Sequence, residues 1–178
     1  MPTTRVLTTA QASARFLAEA RLLVDRAFAG DLAEEDWGHA LGGWHVVVAG
    51  DDGDLLAHAA VVPRVLGVGD RPWRTGYVEA VATAPRRQGA GLGSLVMAEA
   101  ARVVRRNHEM GALSTERHAF YERLGWERWQ GPTYVRDGAT TIRTEDEDDG
   151  VMVLRFGPSA EVDLTASISC EARPGDDW

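Results

Sequence analysis

GYVEAVATAPRRQGAGLGSL, residues 76–95, is the stretch around which the chain is organised. Its first half alternates. Tyr77, Glu79 and Val81 point one way along an extended strand and Val78, Ala80 and Ala82 the other, as far as Thr83. Pro85 has no N–H to give to a ladder and ends the strand. Gly89, Gly91 and Gly93 follow at alternate positions and lead into an apolar-periodic segment. A glycine turn opening a helix leaves backbone N–H groups unpaired at the positive end of the helix dipole. That is an anion site, and phosphate is its commonest occupant.

Three phosphate carriers compete for such a loop. A nucleoside-triphosphate loop needs GxxxxGK[ST], and the chain contains no lysine. A dinucleotide fingerprint needs GxGxxG, whereas the register here is GxGxGS with no well-placed ribose acid. The third pattern, [QR]xxGx[GA], is met by Arg86-Arg87-Gln88-Gly89-Ala90-Gly91. It is the pyrophosphate loop of the GNAT acyltransferases, which this segment resembles. A glycine-rich turn with no ligand is the plain alternative that the loop alone leaves open.

The 178 residues suit a single domain with one core, taken here as residues 1–178. A hydrophobic fraction of 44% with 26% charged residues fits a soluble globular chain. No apolar run approaches the ~18 residues of a membrane span, and the first residues lack the apolar core of a signal peptide. Cys170 is alone, so neither an internal disulfide nor a cysteine-based zinc site is expected, and a cytoplasmic location is the default. The net charge of −8 comes from 27 acidic and 19 basic residues, every basic one an arginine. Nucleic acid is a poor partner for such a chain. A cationic small molecule, or solubility alone, accounts for the charge.

Residues 5–9 read as a strand and 12–28 as an amphipathic helix burying Phe16, Ala20, Leu23 and Ala27, stopped by Gly30. Asp31 reads as the N-cap of a second short helix, with Glu34 completing a capping box. Strands at 44–49 and 55–62 are joined by the turn Gly50-Asp51-Asp52-Gly53-Asp54. Pro63 marks a bulge or an edge, 65–68 continues the strand, and the next runs over 73–83. A helix over 92–106 is closed by Gly111; a strand at 112–114 and a helix at 116–124 follow. The rest reads as a strand around Tyr134, an acidic loop at 137–150, and strands at 151–156 and 162–170. The fold class is α/β in the broad α+β sense, a mixed sheet with helices against it.

A second segment, HAFYERLGW (118–126), resembles the helix and turn after the fifth strand of GNAT enzymes. The resemblance implies the GNAT fold: a mixed, mostly antiparallel sheet with helices on both faces and a splayed central strand pair. It implies acetyl-CoA (coenzyme A) as cofactor. It also implies that the Tyr121 hydroxyl lies near the cofactor sulfur and protonates the departing thiolate, a donation worth ~10²-fold. A core aromatic with a tethered hydroxyl is the plain alternative. By the same resemblance pantetheine pairs with the main chain of Val81 and Thr83, beside Ala82. Pyrophosphate then sits on the N–H groups of Gln88, Gly89, Ala90, Gly91, Leu92 and Gly93, with Arg86 and Arg87 adding charge. Acetyl transfer needs a neutral amine. Glu79 either removes its proton, directly or through a water, or only holds an ammonium group; both roles stay open. His39, His45, His58, His108 and His118 show no nucleophile pairing or metal spacing and read as structural or exposed.

Over nearly its full length the chain resembles the aminoglycoside 2'-N-acetyltransferases, in FAGDLAEEDWGHALGG (28–43), LAHAAVV (56–62), GYVEAVA (76–82), GALS (111–114), GWERWQGPT (125–133), EDDGVMVL (147–154) and GDDW (175–178). The implied activity is acetyl-CoA-dependent acetylation of the 2'-amino group of these cationic drugs, giving resistance, by a homodimer. An acetyltransferase for a cellular amine and a non-catalytic acetyl-CoA- or drug-binding protein are the alternatives. The resemblance sets Asp31 and Asp36 against ammonium or hydroxyl groups of the drug and places Glu79 and Ser114 beside the acceptor amine. Asp149 comes from the acidic loop, and Asp176 and the carboxylate of Trp178 from the tail. The loop at 137–149 differs from the family pattern, leaving open which of Asp146, Asp148 and Asp149 faces the drug. A polycation with little apolar surface calls for such a ring of carboxylates and carbonyls.

Overall fold

A computed structural model describes residues 2–178 as ten strands and four helices. They run β1 (Thr3–Thr8), α1 (Ala14–Ala27), α2 (Glu34–His39), β2 (Trp44–Ala49), β3 (Leu55–Val68), β4 (Arg71–Thr83), α3 (Leu92–Asn107), β5 (Met110–Ser114), α4 (His118–Glu122), β6 (Glu127–Arg128), β7 (Thr133–Asp137), β8 (Thr140–Arg143), β9 (Val151–Leu154) and β10 (Ile168–Glu171). The chain divides into two compact units. One comprises the residues up to Val62 with Val78–Val103, the other Pro63–Tyr77 with Val104–Trp178. The neighbouring strands β3 and β4 pass through both.

In the first unit β2 lies between β1 and β3, antiparallel to each, from Thr3↔Ala49 to Thr8↔Trp44 and from Trp44↔Val61 to Ala49↔Leu55. Val46, Val47 and Val48 are all fully buried, the mark of a strand covered on both faces. Ser13 caps α1 by accepting from the Phe16 N–H at 3.1 Å, and the helix buries Phe16, Ala20, Leu23 and Val24. Phe16, Ala20 and Val24 join Trp37 of α2, Val47, Ala60 and Ala82 in one apolar cluster. The expected Asp31 cap is not formed. Its N–H closes a turn onto Phe28 O at 3.1 Å, helix α2 begins three residues later behind Ala33, and Glu34 pairs with Arg21. Three acids in the first turn of α2 still favour its dipole.

In the second unit the strand order is β6-β9-β5-β4-β3-β10-β7-β8. Only β4/β5 and β7/β10 are parallel among the registers described. The β4/β5 register is confined to Thr75↔Met110, Gly76↔Gly111 and Tyr77↔Ala112, as a splayed pair requires. Gly111 does not close α3, as its position had implied, but lies inside β5. A Cβ there would come within 3.0 Å of Leu154 and of the Trp126 ring, so packing, not a helix stop, fixes glycine at this site. Strand β3 continues through Pro63, as expected. Pro63 falls between the stretch paired with β2 and the stretch paired with β10, where a missing N–H is harmless.

The last strand is shorter than its alternation implies. Asp163 accepts from the Thr165 N–H and hydroxyl at 2.9 and 2.7 Å, a local turn that competes with the ladder. Within the predicted acidic loop, Gly138 at φ +57° turns the chain from β7 into β8, an exposed polar strand with no apolar face to reveal it.

Candidate functional site

The glycine loop lies in the first unit, where β4 runs out through a 3₁₀ turn at Pro85–Arg87 into α3. Gly89 and Gly91 have φ of +79° and +78°, and a Cβ on either would meet nothing within 4 Å. Glycine is required there by the left-handed backbone, not by packing. The Leu95 N–H bonds to Gly91 O at 3.1 Å, making Gly91 the first acceptor of α3. The N–H groups of Leu92, Gly93 and Ser94 therefore precede the first intrahelical bond. Arg86, Arg87, Gln88 and Ala90 are exposed beside them, while Leu92 is buried and anchors the helix start. A phosphate-bearing anion fits this set of groups.

Upstream, the strand does not keep its alternation. Ala80 has φ +49°, outside the extended region, although it is not glycine. A left-handed residue inside a strand re-aims its neighbours. Glu79, Val81 and Thr83 are half-buried and Ala82 is buried in the α1–α2 cluster. The Ala80 carbonyl accepts from His58 Nδ1 at 2.8 Å, and His58 is joined through Nε2 to His45 Nδ1 at 3.0 Å. Burial pushes the His58 imidazole down to about 4 from 6.5, and lowers His45 as well. Asp31 is exposed and Asp36 half-buried, on the α1–α2 connection and in the first turn of α2. Next to Asp36, the Trp37 ring lies 6.0 Å from His58 and 6.4 Å from His45.

The acid side lies in the second unit. Ser114 ends β5, exposed, opposite Val151 of β9. Its hydroxyl hydrogen-bonds the Glu147 carboxylate. Partial burial, with Asp176, Asp146 and Asp177 as like-charged neighbours, raises Glu147 above the usual carboxylate range. Glu147 is thus the loop acid brought to Ser114 and Asp176. Sequence spacing did not single it out, because several acids in a row look alike until a neighbour distinguishes them. Asp148 is committed elsewhere. It pairs with Arg143, accepts from the Thr133 N–H and hydroxyl at 2.9 Å each, and is held down to about 2. Asp149 is exposed, and its carbonyl accepts from His118 Nε2.

The tail is fastened from several sides. Arg64 donates to Asp177 O at 2.8 Å and Glu171 O at 3.0 Å, and Arg173 donates from Nε to Asp176 O at 2.7 Å. Both guanidinium groups flank the Tyr77 ring, at 4.7 and 5.6 Å from its centroid. Trp178 is buried, with its indole N–H on Thr144 Oγ1 at 3.3 Å and its backbone N–H on Asp176 Oδ1 at 3.3 Å. The carboxylate of Asp176 is fixed by this bond, and the residue is exposed. Tyr121 is buried on α4, edge-on to Phe120 at 4.9 Å and to Trp126 at 6.4 Å. Burial pushes its phenol up to about 12, against the opposing charge of Arg117, so it keeps its proton at neutral pH.

No group of three or more His, Cys, Asp or Glu side chains able to hold a metal ion occurs among the described residues. No helix among them is long and apolar enough to cross a membrane.

Residues 10–129 match the family described as "Acetyltransferase (GNAT) domain". The chain is 45% identical over 163 residues to an aminoglycoside 2'-N-acetyltransferase of Mycolicibacterium fortuitum, covering 89% of this chain and 83% of that one. Its fold is similar to a GNAT family N-acetyltransferase from Escherichia coli solved in complex with CoA, with TM-score 0.69 and 17% identity over 95% of this chain and 89% of that one. It is also similar to a probable N-acyltransferase from Enterococcus faecalis, with TM-score 0.60 and 18% identity over 72% of this chain, and it spans only 33% of that longer chain.

Proposed function

We propose, for a chain that belongs to the GNAT acetyltransferases and within them to the aminoglycoside 2'-N-acetyltransferases, that it transfers the acetyl group of acetyl-CoA to the 2'-amino group of an aminoglycoside. The observation that carries the reading is the relative at 45% identity, whose match covers 89% of the chain. The family match ends at residue 129, so the resemblance to that relative takes in residues beyond the acetyl-transfer core. The acids of the second unit give it a physical basis. Glu147 meets the like charges of Asp176, Asp146 and Asp177 beside Ser114, and an ammonium-rich ligand would relieve that repulsion.

Acetyl-CoA would supply the acetyl thioester, and the residues that would hold it are Gln88, Gly89, Ala90, Gly91, Leu92 and Gly93 through their amides, Arg86 and Arg87 through their charge, and Val81, Ala82 and Thr83 through the strand. Glu79 takes the proton that the 2'-ammonium must lose to become a nucleophile. Tyr121 donates a hydrogen bond to the leaving sulfur. A phenol at about 12 is a weaker acid than a thiol near 8.5, so in the free protein it is set to share its proton rather than surrender it. Asp31 and Asp36 in the first unit, and Ser114, Asp149, Asp176 and Trp178 in the second, are each assigned to the acceptor, and Glu147 is added to those of the second.

Expression confers resistance to 2'-amino aminoglycosides, and the enzyme works in the cytoplasm as a homodimer. Light scattering on the purified protein tests the dimer, a monomer mass contradicting it. Coenzyme A release with a 2'-amino aminoglycoside and with an otherwise matched 2'-hydroxy drug tests the activity. Turnover of the first alone is expected; equal turnover of both, or of neither, overturns the 2'-amine assignment.

A further inference from the structure

The first unit buries two histidines at 0% exposure that the proposed chemistry does not use. A neutral imidazole has one donor and one acceptor, and the contacts here assign both rings. The Ala80 carbonyl only accepts, so His58 Nδ1 carries the proton at 2.8 Å and His58 Nε2 is an acceptor. His45 Nδ1, 3.0 Å away, must then be a donor, and His45 Nε2 an acceptor. The Thr9 hydroxyl at 2.9 Å fills that role as donor, in preference to the more distant Gly43 carbonyl at 3.4 Å, and itself accepts from the Gly42 N–H at 3.0 Å. Every hydrogen bond from Gly42 to Ala80 therefore points the same way. Phe16 and Trp37 close over the rings and exclude water.

A leucine or phenylalanine would fill this volume without desolvating polar nitrogens. What the histidines add is a hold on one carbonyl, that of a residue at φ +49° which its own side chain disfavours. Ala80 stands between Glu79 and Val81. The turn at Ala80 decides where the Glu79 carboxylate and the main chain of Val81 point.

We propose that His58, backed by His45 and Thr9, is a positioning residue for acetyl transfer: it clamps the Ala80 carbonyl and so sets the direction of Glu79 and of Val81. The roles of Glu79 and Val81 rest on the function proposed above. The clamp itself does not.

Two measurements on the full chain separate the two claims. Long-range ¹H–¹⁵N spectra of the imidazoles at pH 7 should show His45 and His58 both neutral and protonated on Nδ1. An Nε2-protonated or charged His58 overturns the clamp, whether or not the protein acetylates anything. Kinetics then test its purpose. His58→Leu, assayed well below its melting temperature, should lose roughly 10- to 100-fold in kcat, the scale of a small misplacement of reacting groups. KM for acetyl-CoA should change much less than kcat. His58→Asn, which returns an N–H near the position of Nδ1, should recover most of the loss. A folded His58→Leu with wild-type kcat, or His58→Asn falling as far as His58→Leu, overturns the positioning role. Should His58→Leu not fold, the Asn variant decides: kcat near that of the wild type supports the clamp, and a loss as large as that set for Leu contradicts it. Wild-type protein inert toward aminoglycosides would instead sink the functional reading and leave the spectra to judge the clamp.

Discussion

Two polar arrangements, one in each unit, hold backbone beside a glutamate, and they do so by opposite means. In the first unit His45 and His58 are neutral, and a chain of hydrogen bonds fixes Ala80 next to Glu79. In the second, Asp148 is ionised and tied to Arg143 and Thr133, fixing the loop beside Glu147. The neutral arrangement serves a strand that must keep water out. The ionic one sits at a half-exposed hairpin where water screens its charges. Acid separates them. His58 is pushed to about 4 in the folded chain from 6.5, so the unfolded chain binds more protons between those values and stability falls as pH drops through that window. Asp148 is held at about 2 against 3.8, so its contribution is complete above 3.8 and fades only toward pH 2.

Substitutions at the two glutamates should break the comparison most visibly. Glu79→Gln is expected to lower kcat by about 100-fold, the worth of a placed base, with the loss greatest at low pH where the amine is protonated. A uniform loss across pH would make Glu79 a holder of the ammonium group. Glu147→Gln should act on the acceptor instead, raising KM for the drug about tenfold, the effect of ~1.4 kcal/mol, and leaving KM for acetyl-CoA unchanged. Equal effects on both substrates would remove Glu147 from the acceptor side. Arg64→Ala unfastens the carbonyls of Asp177 and Glu171 and should raise KM for the drug by a smaller factor, about threefold, the effect of ~0.6 kcal/mol. Unchanged drug kinetics would show that the tail needs no clamp.

The smallest effects concern stability. Urea midpoints measured from pH 7 to pH 4 should decline in the wild type and decline less steeply in His58→Asn, where His45 still contributes. Asp148→Asn should lower the midpoint by a constant amount while keeping the wild-type slope above pH 4. Interchanged behaviour of the two variants would contradict the assignment of the two windows.

How far these arrangements were legible follows from how local they are. The loop over Arg86–Gly91 was readable because left-handed glycines and a helix start are properties of neighbouring residues, and α3 begins at Leu92 as expected. Strand β2 was equally plain, since a run of valines has few other uses. Asp31 misled, because a turn from Phe28 delayed the helix past the reach of its side chain. The alternation through β4 also misled. Nothing in Ala80 announces a positive φ, and its clamp comes from His58, 22 residues earlier. Separation in sequence also hid Glu147, whose distinction from Asp146, Asp148 and Asp149 lies in meeting Ser114 and Asp176. Histidines without ligand spacing read as structural or exposed, and His45 and His58 are buried. Their direction of hydrogen bonding needed the fold.

The most direct test of the whole account is the position of the acetyl group. Product from a 2'-amino aminoglycoside and acetyl-CoA, analysed by two-dimensional NMR, should carry a single new amide at the 2' nitrogen, with one coenzyme A released per drug. Acetylation at another amine, or a mixture of positions, would contradict it.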